Sequence, residues 1–366
     1  MRTTAAGAEV PAWPGWLVLA LLGLATVGAV VLVVRAARGR RRRHRRWVPG
    51  AALGGAGVLV LLAVTAVVAS GVASGYLTDL RSFALVLHAA SGRDAPEVPA
   101  GRPADPPRPT TDATGVAWQV TVPSGAAGVP DAGTWVYVPP GYSQHPDRRY
   151  PVVYLLHGSP GTGSDWVAAG HVDRTLDALV ASGAVPPVVV VMPDVDLGLE
   201  DEPVDYPPPG AARGTFVVHD VVPWADAHLR TVPDAPHRVV GGMSAGGFGA
   251  LLLALEHRDV FGGVVDLMPY LEPVAPALRV DPGALAAASP LVVVPRAGDL
   301  RDLPVFLGVP SADDPTEGPR VADALRAAGA PVALRRYDAG HDWSGVRRMT
   351  PEALTWIATR MGWPAE

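Results

Sequence analysis

Residues 237–257 read HRVVGGMSAGGFGALLLALEH. An apolar, β-branched run, HRVVGG (237–242), predicts a strand, and FGALLLALEH (248–257) predicts a helix. Between them Gly242-Met243-Ser244-Ala245-Gly246 matches G-x-S-x-G, and no second match occurs in the chain. Small residues on either side let a serine occupy a tight strand-to-helix turn with its hydroxyl exposed at the helix N-terminus, so Ser244 is the candidate nucleophile. Gly241, Gly247 and Gly249 add further small residues around the same turn.

Outward from this turn the same alternation repeats. Strand-like runs lie at 118–122, 134–138, 151–156, 188–192, 263–268, 304–309 and 331–337. Helical stretches lie at 173–182, around 217–229, at 319–329, and from Pro351 to about Met361. Short apolar runs alternating with helices predict an α/β fold with a mostly parallel sheet flanked by helices, and the opening pair of strands predicts an antiparallel edge. The predicted domain occupies about residues 115–366, an ordinary size for one such domain.

A serine nucleophile needs a base, and the base needs an orienting carboxylate. In chain order Ser, acid, His, the base is His341, which follows VALRRY (332–337) and a flexible Ala-Gly at the carboxyl edge of the last strand. His145, His171, His219, His228, His237 and His257 read as surface residues. PVFLGV runs into PSADDP (310–315), which puts Asp313 and Asp314 at the end of the preceding strand; Asp314, beside Pro315 at the loop apex, is favoured. HGSPG (157–161) follows the strand PVVYLL, where a backbone N–H can serve an oxyanion hole. Pro160 has none, so Ser159 is the expected donor, with Ala245 as the second. Trp166, Asp194 and Trp343 are candidate substrate contacts, with Asp196 beside them as a further acceptor for a polyol hydroxyl.

Absent residue types narrow the chemistry. The chain has no cysteine, lysine or asparagine, which excludes disulfides, thiolate metal sites, a cysteine nucleophile, the P-loop and a pyridoxal Schiff base. Serine-triad chemistry requires no metal and no organic cofactor, and none is expected.

The charge is divided. Residues 1–75 hold nine arginines against Glu9, a net of +8, and the other 291 residues hold 21 arginines against 34 acids, a net of −13. Two uncharged apolar runs, 16–34 and 48–70, are each long enough to cross a ~30 Å hydrocarbon core. Between them RAARGRRRRHRRW (35–47) carries eight arginines from Arg35 to Arg46, and such a loop is retained in the cytoplasm. The expected topology is a transmembrane hairpin over 1–75 with both ends outside, so the chain is multi-pass in the cell membrane and its catalytic domain extracytoplasmic. A cleaved signal peptide has its basic residues before the apolar run, whereas here only Arg2 precedes it. Wedged between two spans, the arginine run is a topology signal and a contact for anionic lipid headgroups rather than a nucleic-acid patch. Residues 76–114 form the expected connection, with a short amphipathic helix near 76–90 and a spacer at 96–109 containing six prolines.

YPVVYLLHGSPGTGSDW (150–166), GGMSAGGFGAL (241–251) and YDAGHDW (337–343) together resemble the esterase-D-like branch of α/β-hydrolases, which takes in bacterial esterases and the mycolyltransferases of the antigen 85 group. The resemblance covers about Trp118 to the C-terminus. It implies an α/β-hydrolase fold with Ser244 as nucleophile, His341 as base, Asp313 or Asp314 as acid, and Ser159 and Ala245 as oxyanion donors. The chain departs from the family in 192–210, MPDVDLGLEDEPVDYPPPG, which is unusually rich in acid and proline. The expected activity is hydrolysis of neutral, short to medium acyl esters. Acyl transfer to a cell-envelope sugar is the alternative, and a non-catalytic membrane protein that keeps a hydrolase-like binding domain is the rival of another class.

Overall fold

The computed structural model describes residues 14–41, 49–90, 95–107, 113–195 and 201–363. Between Leu87 and His88 the chain divides into two compact units.

The N-terminal unit is helical: α1 (Gly15–Arg41), α2 (Pro49–Ala73) and α3 (Leu80–Ala90). Within α1 and α2, Gly15–Arg35 and Ala56–Ala73 are long and apolar enough to cross a membrane. They expose large aliphatic side chains, among them Leu24, Leu32, Leu59 and Val67. The two helices pack together, and Thr26 Oγ1 lies 3.0 Å from Thr65 Oγ1, a small polar contact of the kind that joins apolar helices. Arg35 to Arg41 of the expected arginine loop extend α1, and residues 42–48 lie outside the described residues. The hydroxyl-bearing turn before α3 is capped by Asp79, which accepts from Ser82 N at 2.9 Å.

The second unit is built on one eight-stranded sheet in the order β1-β2-β4-β3-β5-β6-β7-β8. The strands are β1 (Val116–Val122), β2 (Ala132–Val138), β3 (Val152–Leu156), β4 (Val189–Met192), β5 (Arg238–Met243), β6 (Gly263–Leu267), β7 (Val305–Pro310) and β8 (Val332–Tyr337). β1 and β2 are antiparallel to each other and β2 to β4, and β3 to β8 are parallel neighbours. Every residue of β3 to β7 is buried, which is why these strands read as unbroken apolar runs rather than alternating ones. One face carries the helical segment 216–228 and the helices Ala245–Glu256 and Glu317–Ala327, whose apolar sides join Val152, Tyr154, Leu156, Val240 and Val264 in one core. The helix Trp343–Arg360 packs on β6, β7 and β8 together with the helix Val172–Ala181.

Three sequence expectations shift. The closing helix starts at Trp343 rather than at Pro351. Asp342 caps it, accepting from Gly345 N at 2.9 Å and Ser344 Oγ at 2.6 Å, and buried Trp343, Val346 and Met349 hold the first turns down. Pro351, which reads as a first-turn residue, sits inside. The residues set aside as a spacer lie partly against the domain. Thr121 N donates to Pro96 O at 3.0 Å and Ala104 N to His228 O at 2.8 Å, and Ala104 is buried. The N–H of Thr121 in β1 and the carbonyl of His228 at the end of the helical segment 216–228 supply partners that a solvated spacer would lack. His228, expected at the surface, is buried there with Nδ1 2.6 Å from Arg102 O.

Candidate active site

The turn at Ser244 joins β5 to the helix Ala245–Glu256, and Ser244 has φ 52° and ψ −124°. Positive φ at a residue with a side chain is strained and persists only where its surroundings enforce it. Here the surroundings are backbone. A Cβ on Gly242 would meet Gly246 C at 2.3 Å, and one on Gly246 would meet Leu156 O at 2.2 Å. Ser244 N donates to Leu267 O at 2.7 Å, which fixes the turn to β6. The side chain is half-buried, and its hydroxyl makes no hydrogen bond among the described residues.

His341 and Asp313 come from two loops that extend the β7–β8 pair. Ser311 N donates to Tyr337 O at 2.8 Å and Ala312 N to Ala339 O at 3.2 Å. This zipper brings Asp313 to His341, with Oδ1 2.8 Å and Oδ2 3.0 Å from Nδ1. Asp314, the favoured acid in the sequence, is elsewhere: its Oδ1 accepts from Thr316 N at 2.8 Å and Thr316 Oγ1 at 2.7 Å. Those bonds, the hydroxyl first, hold the Asp314 carboxyl below the ordinary range. Of the two candidates, it is Asp313 that the fold brings to His341. The reason is register, because one residue's step along the loop turns a side chain from the histidine to the helix start. With a carboxylate on Nδ1, that nitrogen carries the proton and Nε2 is left as the acceptor.

Ser244 and His341 line one cleft of about 370 Å³. Ser159, Pro160 and Ala245 line it beside the serine; Met268, Pro269, Tyr270 and Val274 form an apolar wall; Asp313, Asp314 and Glu317 form an acidic side. Burial, reinforced by the Asp314 charge, pushes the Glu317 carboxyl above its ordinary range. Ser159 Oγ accepts from Asp201 N at 3.2 Å, which ties down the loop that carries this candidate oxyanion donor. A second cavity of about 420 Å³, around Tyr206, Leu252 and Leu278, holds none of these groups.

The expected substrate contacts are not brought to the cleft. Trp166 and Trp343 are buried against each other, ring centroids 5.4 Å apart and nearly perpendicular; their area is better used in packing than exposed. Asp194 Oδ1 lies 3.4 Å from Nε2 of the fully buried His157, and Asp196 lies outside the described residues. His157 itself was passed over. Its Nδ1 donates to Gly158 O at 2.9 Å and its Nε2 accepts from Val195 N at 3.2 Å, which locks the HGSPG loop. Also missed were the wall residues Met268, Tyr270 and Val274, which follow β6 and have no motif of their own. Asp266, fully buried in β6, has an oxygen with no hydrogen-bond partner among the described residues; a carboxylate inside the apolar run GVVDL was its one signal. No cluster of metal-ligating side chains occurs among the described residues.

A family model described as Putative esterase matches residues 131–357, a span that includes Ser244, Asp313 and His341. An esterase of Mycobacterium tuberculosis is 37% identical over 117 residues, 31% of this chain and 24% of its own length. An uncharacterized protein of Corynebacterium glutamicum is 29% identical over 174 residues, 45% of this chain and 40% of its own. The chain thus spans less than half the length of these curated relatives. Among solved structures, a ferulic acid esterase is 26% identical with a TM-score of 0.59, covering 68% of this chain and 98% of that one. An S-formylglutathione hydrolase from Agrobacterium tumefaciens shares the fold at 20% identity and a TM-score of 0.57, covering 69% of this chain and 98% of that one.

Proposed function

The chain belongs to this esterase family, and from that premise we propose that it is a membrane-anchored serine esterase that hydrolyses neutral carboxylic esters outside the cytoplasm. The observation that carries the reading is the Asp313–His341 contact at 2.8 Å on the rim of the cleft that also exposes Ser244. Ser244 Oγ attacks the ester carbonyl carbon while His341 Nε2 takes its proton, and Asp313 stabilises the imidazolium that results. The oxyanion is held by Ser159 N and Ala245 N, the latter at the free N-terminus of a twelve-residue helix. As the tetrahedral intermediate collapses, the C–O bond to the alcohol breaks and His341 returns the proton to the leaving oxygen. Water then enters, His341 takes its proton as the water oxygen bonds to the acyl carbon, and the C–Oγ bond breaks as His341 returns that proton to Ser244 Oγ, which releases the acid.

The cleft suits an uncharged ester. Three carboxylates line it beside apolar residues, and no arginine lines it among the described residues, so an anionic group placed there meets repulsion with no compensating cation. Size favours short to medium acyl groups; because one structural relative is a ferulic acid esterase, a compact aromatic acyl ester belongs in the test. α1 and α2 would form the anchor, with the Arg35–Arg46 run on the cytoplasmic side against anionic headgroups and the second unit on the other side.

Labelling with a fluorophosphonate probe, compared between wild type and Ser244→Ala, tests the nucleophile, and a panel of acetyl, butyryl, octanoyl and feruloyl esters tests the substrate class. Wild-type labelling that the alanine abolishes, with turnover of the neutral esters, is expected. Adding trehalose or glycerol tests hydrolysis itself: acyl-sugar exceeding free acid at millimolar acceptor would make the protein a transferase.

A further inference from the structure

The acid- and proline-rich segment that departs from the family contains a carboxylate in an unusual position. Glu202 is fully buried, and no arginine or histidine forms an ion pair with it among the described residues. Hydrogen-bond donors surround it instead. Val274 N donates to Oε1 at 2.5 Å, Tyr270 OH to Oε1 at 3.2 Å, and Ala275 N to Oε2 at 3.3 Å. Tyr206 OH completes the set, donating to Oε2 at 3.4 Å and accepting from Glu202 N at 3.0 Å. A buried carboxyl is costly unless it is bonded in this way, and burial raises its pKa even with these donors.

The donors share a location. Tyr270 and Val274 belong to the apolar wall of the cleft that exposes Ser244, so Glu202 grips the loop after β6 at both of its ends. Tyr270 is held on its other side by a parallel stack on Phe248, ring centroids 4.4 Å apart, in the helix that begins after Ser244. Glu202 in turn stands on an anchored base. The neighbouring Asp201 pairs with Arg213 at 3.1 Å, shares the one Tyr206 hydroxyl proton with Glu202 across 3.2 Å, and its N–H reaches Ser159 Oγ at 3.2 Å. One short segment is therefore bonded both to the loop of the candidate oxyanion donor and to the wall residues Tyr270 and Val274.

We propose that Glu202 is a positioning residue that sets acyl-chain selectivity by clamping the Tyr270–Ala275 segment, whose Tyr270 and Val274 line the cleft together with Ser244. This rests on the esterase reading. The clamp touches no reacting atom; it holds the wall close, which admits short acyl groups and excludes longer ones until the wall moves. Loosening it widens the cleft at the cost of a well-defined seat for a small acyl group.

The test uses the full chain in detergent with p-nitrophenyl acetate, butyrate and octanoate, in wild type, Glu202→Gln, Tyr270→Phe and the double variant. Glutamine keeps the shape and loses acceptor capacity, and phenylalanine keeps the stack on Phe248 and loses one bond. Each single variant should raise the octanoate-to-acetate ratio of kcat/KM by about tenfold, chiefly through KM, and the double variant should match Glu202→Gln because both act through one clamp. A ratio unchanged in Tyr270→Phe, or a uniform fall in kcat across all three esters in Glu202→Gln, overturns the proposal and leaves Glu202 a structural residue. Should Glu202→Gln fail to fold, the Tyr270→Phe ratio decides alone. Wild-type protein that turns over no ester and takes no fluorophosphonate overturns the esterase reading instead, and the selectivity role falls with it.

Discussion

Asp313 Oδ1 lies 2.8 Å from His341 Nδ1, while the adjacent Asp314 turns away to accept both the N–H and the hydroxyl of Thr316. The two carboxylates therefore have separable consequences. Asp313→Asn is expected to lower kcat on a butyrate ester by about 10³ to 10⁴, because an amide on Nδ1 disfavours the tautomer in which Nε2 accepts a proton. Asp314→Asn should cost less than about tenfold. Steady-state kinetics of the two variants side by side check this, and the reverse ranking would return the acid to Asp314.

Ser244→Ala and His341→Ala should each reduce kcat by several orders of magnitude, and the double variant should be little worse than either. Triad members act as a unit, so losses that multiplied would mean that the two residues serve separate steps.

The turn at Ser244 tolerates no added carbon at Gly246. A Cβ there would meet Leu156 O at 2.2 Å and His157 O at 2.5 Å, both backbone atoms that cannot swing aside. Gly246→Ala is expected to destabilise the fold by more than about 2 kcal/mol, read as a fall in melting temperature together with loss of fluorophosphonate labelling. A variant with wild-type stability would show that the elbow is looser than this contact requires.

Burial pushes the Asp266 carboxyl up to about 8, against an ordinary value of about 3.9. Between those values the folded protein holds a proton that the unfolded chain has released. The stability this group contributes is thus complete below about pH 4, drains as pH rises, and is gone above about 8. Asp266→Asn should flatten the decline in melting temperature across that window, most visibly from about pH 5 to 7. An identical pH profile for the two proteins would place the ionisation elsewhere.

Protease added to spheroplasts should remove the second unit and leave the Arg35–Arg46 run protected, as an arginine-rich segment held on the cytoplasmic side requires. Immunoblots with tags at the C-terminus and within that run distinguish the outcomes. A C-terminal tag that survives would reverse the orientation.

Periodicity and local chemistry carried most of the fold. The eight strands lie within two residues of where their apolar, β-branched runs place them, and in β3 to β7 the reason is that strands buried on both faces have no freedom to be polar. The elbow was legible because the spacing of Gly242, Ser244 and Gly246 is local: a carbon added at Gly242 would meet Gly246 C at 2.3 Å, although the collision at Gly246 itself is with Leu156 O of β3. His341 was identifiable from its place after the last strand. What depended on residues distant in the chain was not legible. Asp313 and Asp314 are equivalent in sequence, and only the zipper of 311–312 onto 337–339 turns one to the histidine and the other to Thr316. Trp166 and Trp343 are 177 positions apart, and nothing local announces that they bury each other rather than a ligand. Glu202 reads as one more acid in a polar segment; its burial beneath Tyr270 and Val274 exists only once β6 and the 201–206 segment meet. Sequence sets conformations that are enforced within a few residues, whereas the partner of a side chain on a loop is chosen by packing between elements, which the tertiary structure alone supplies.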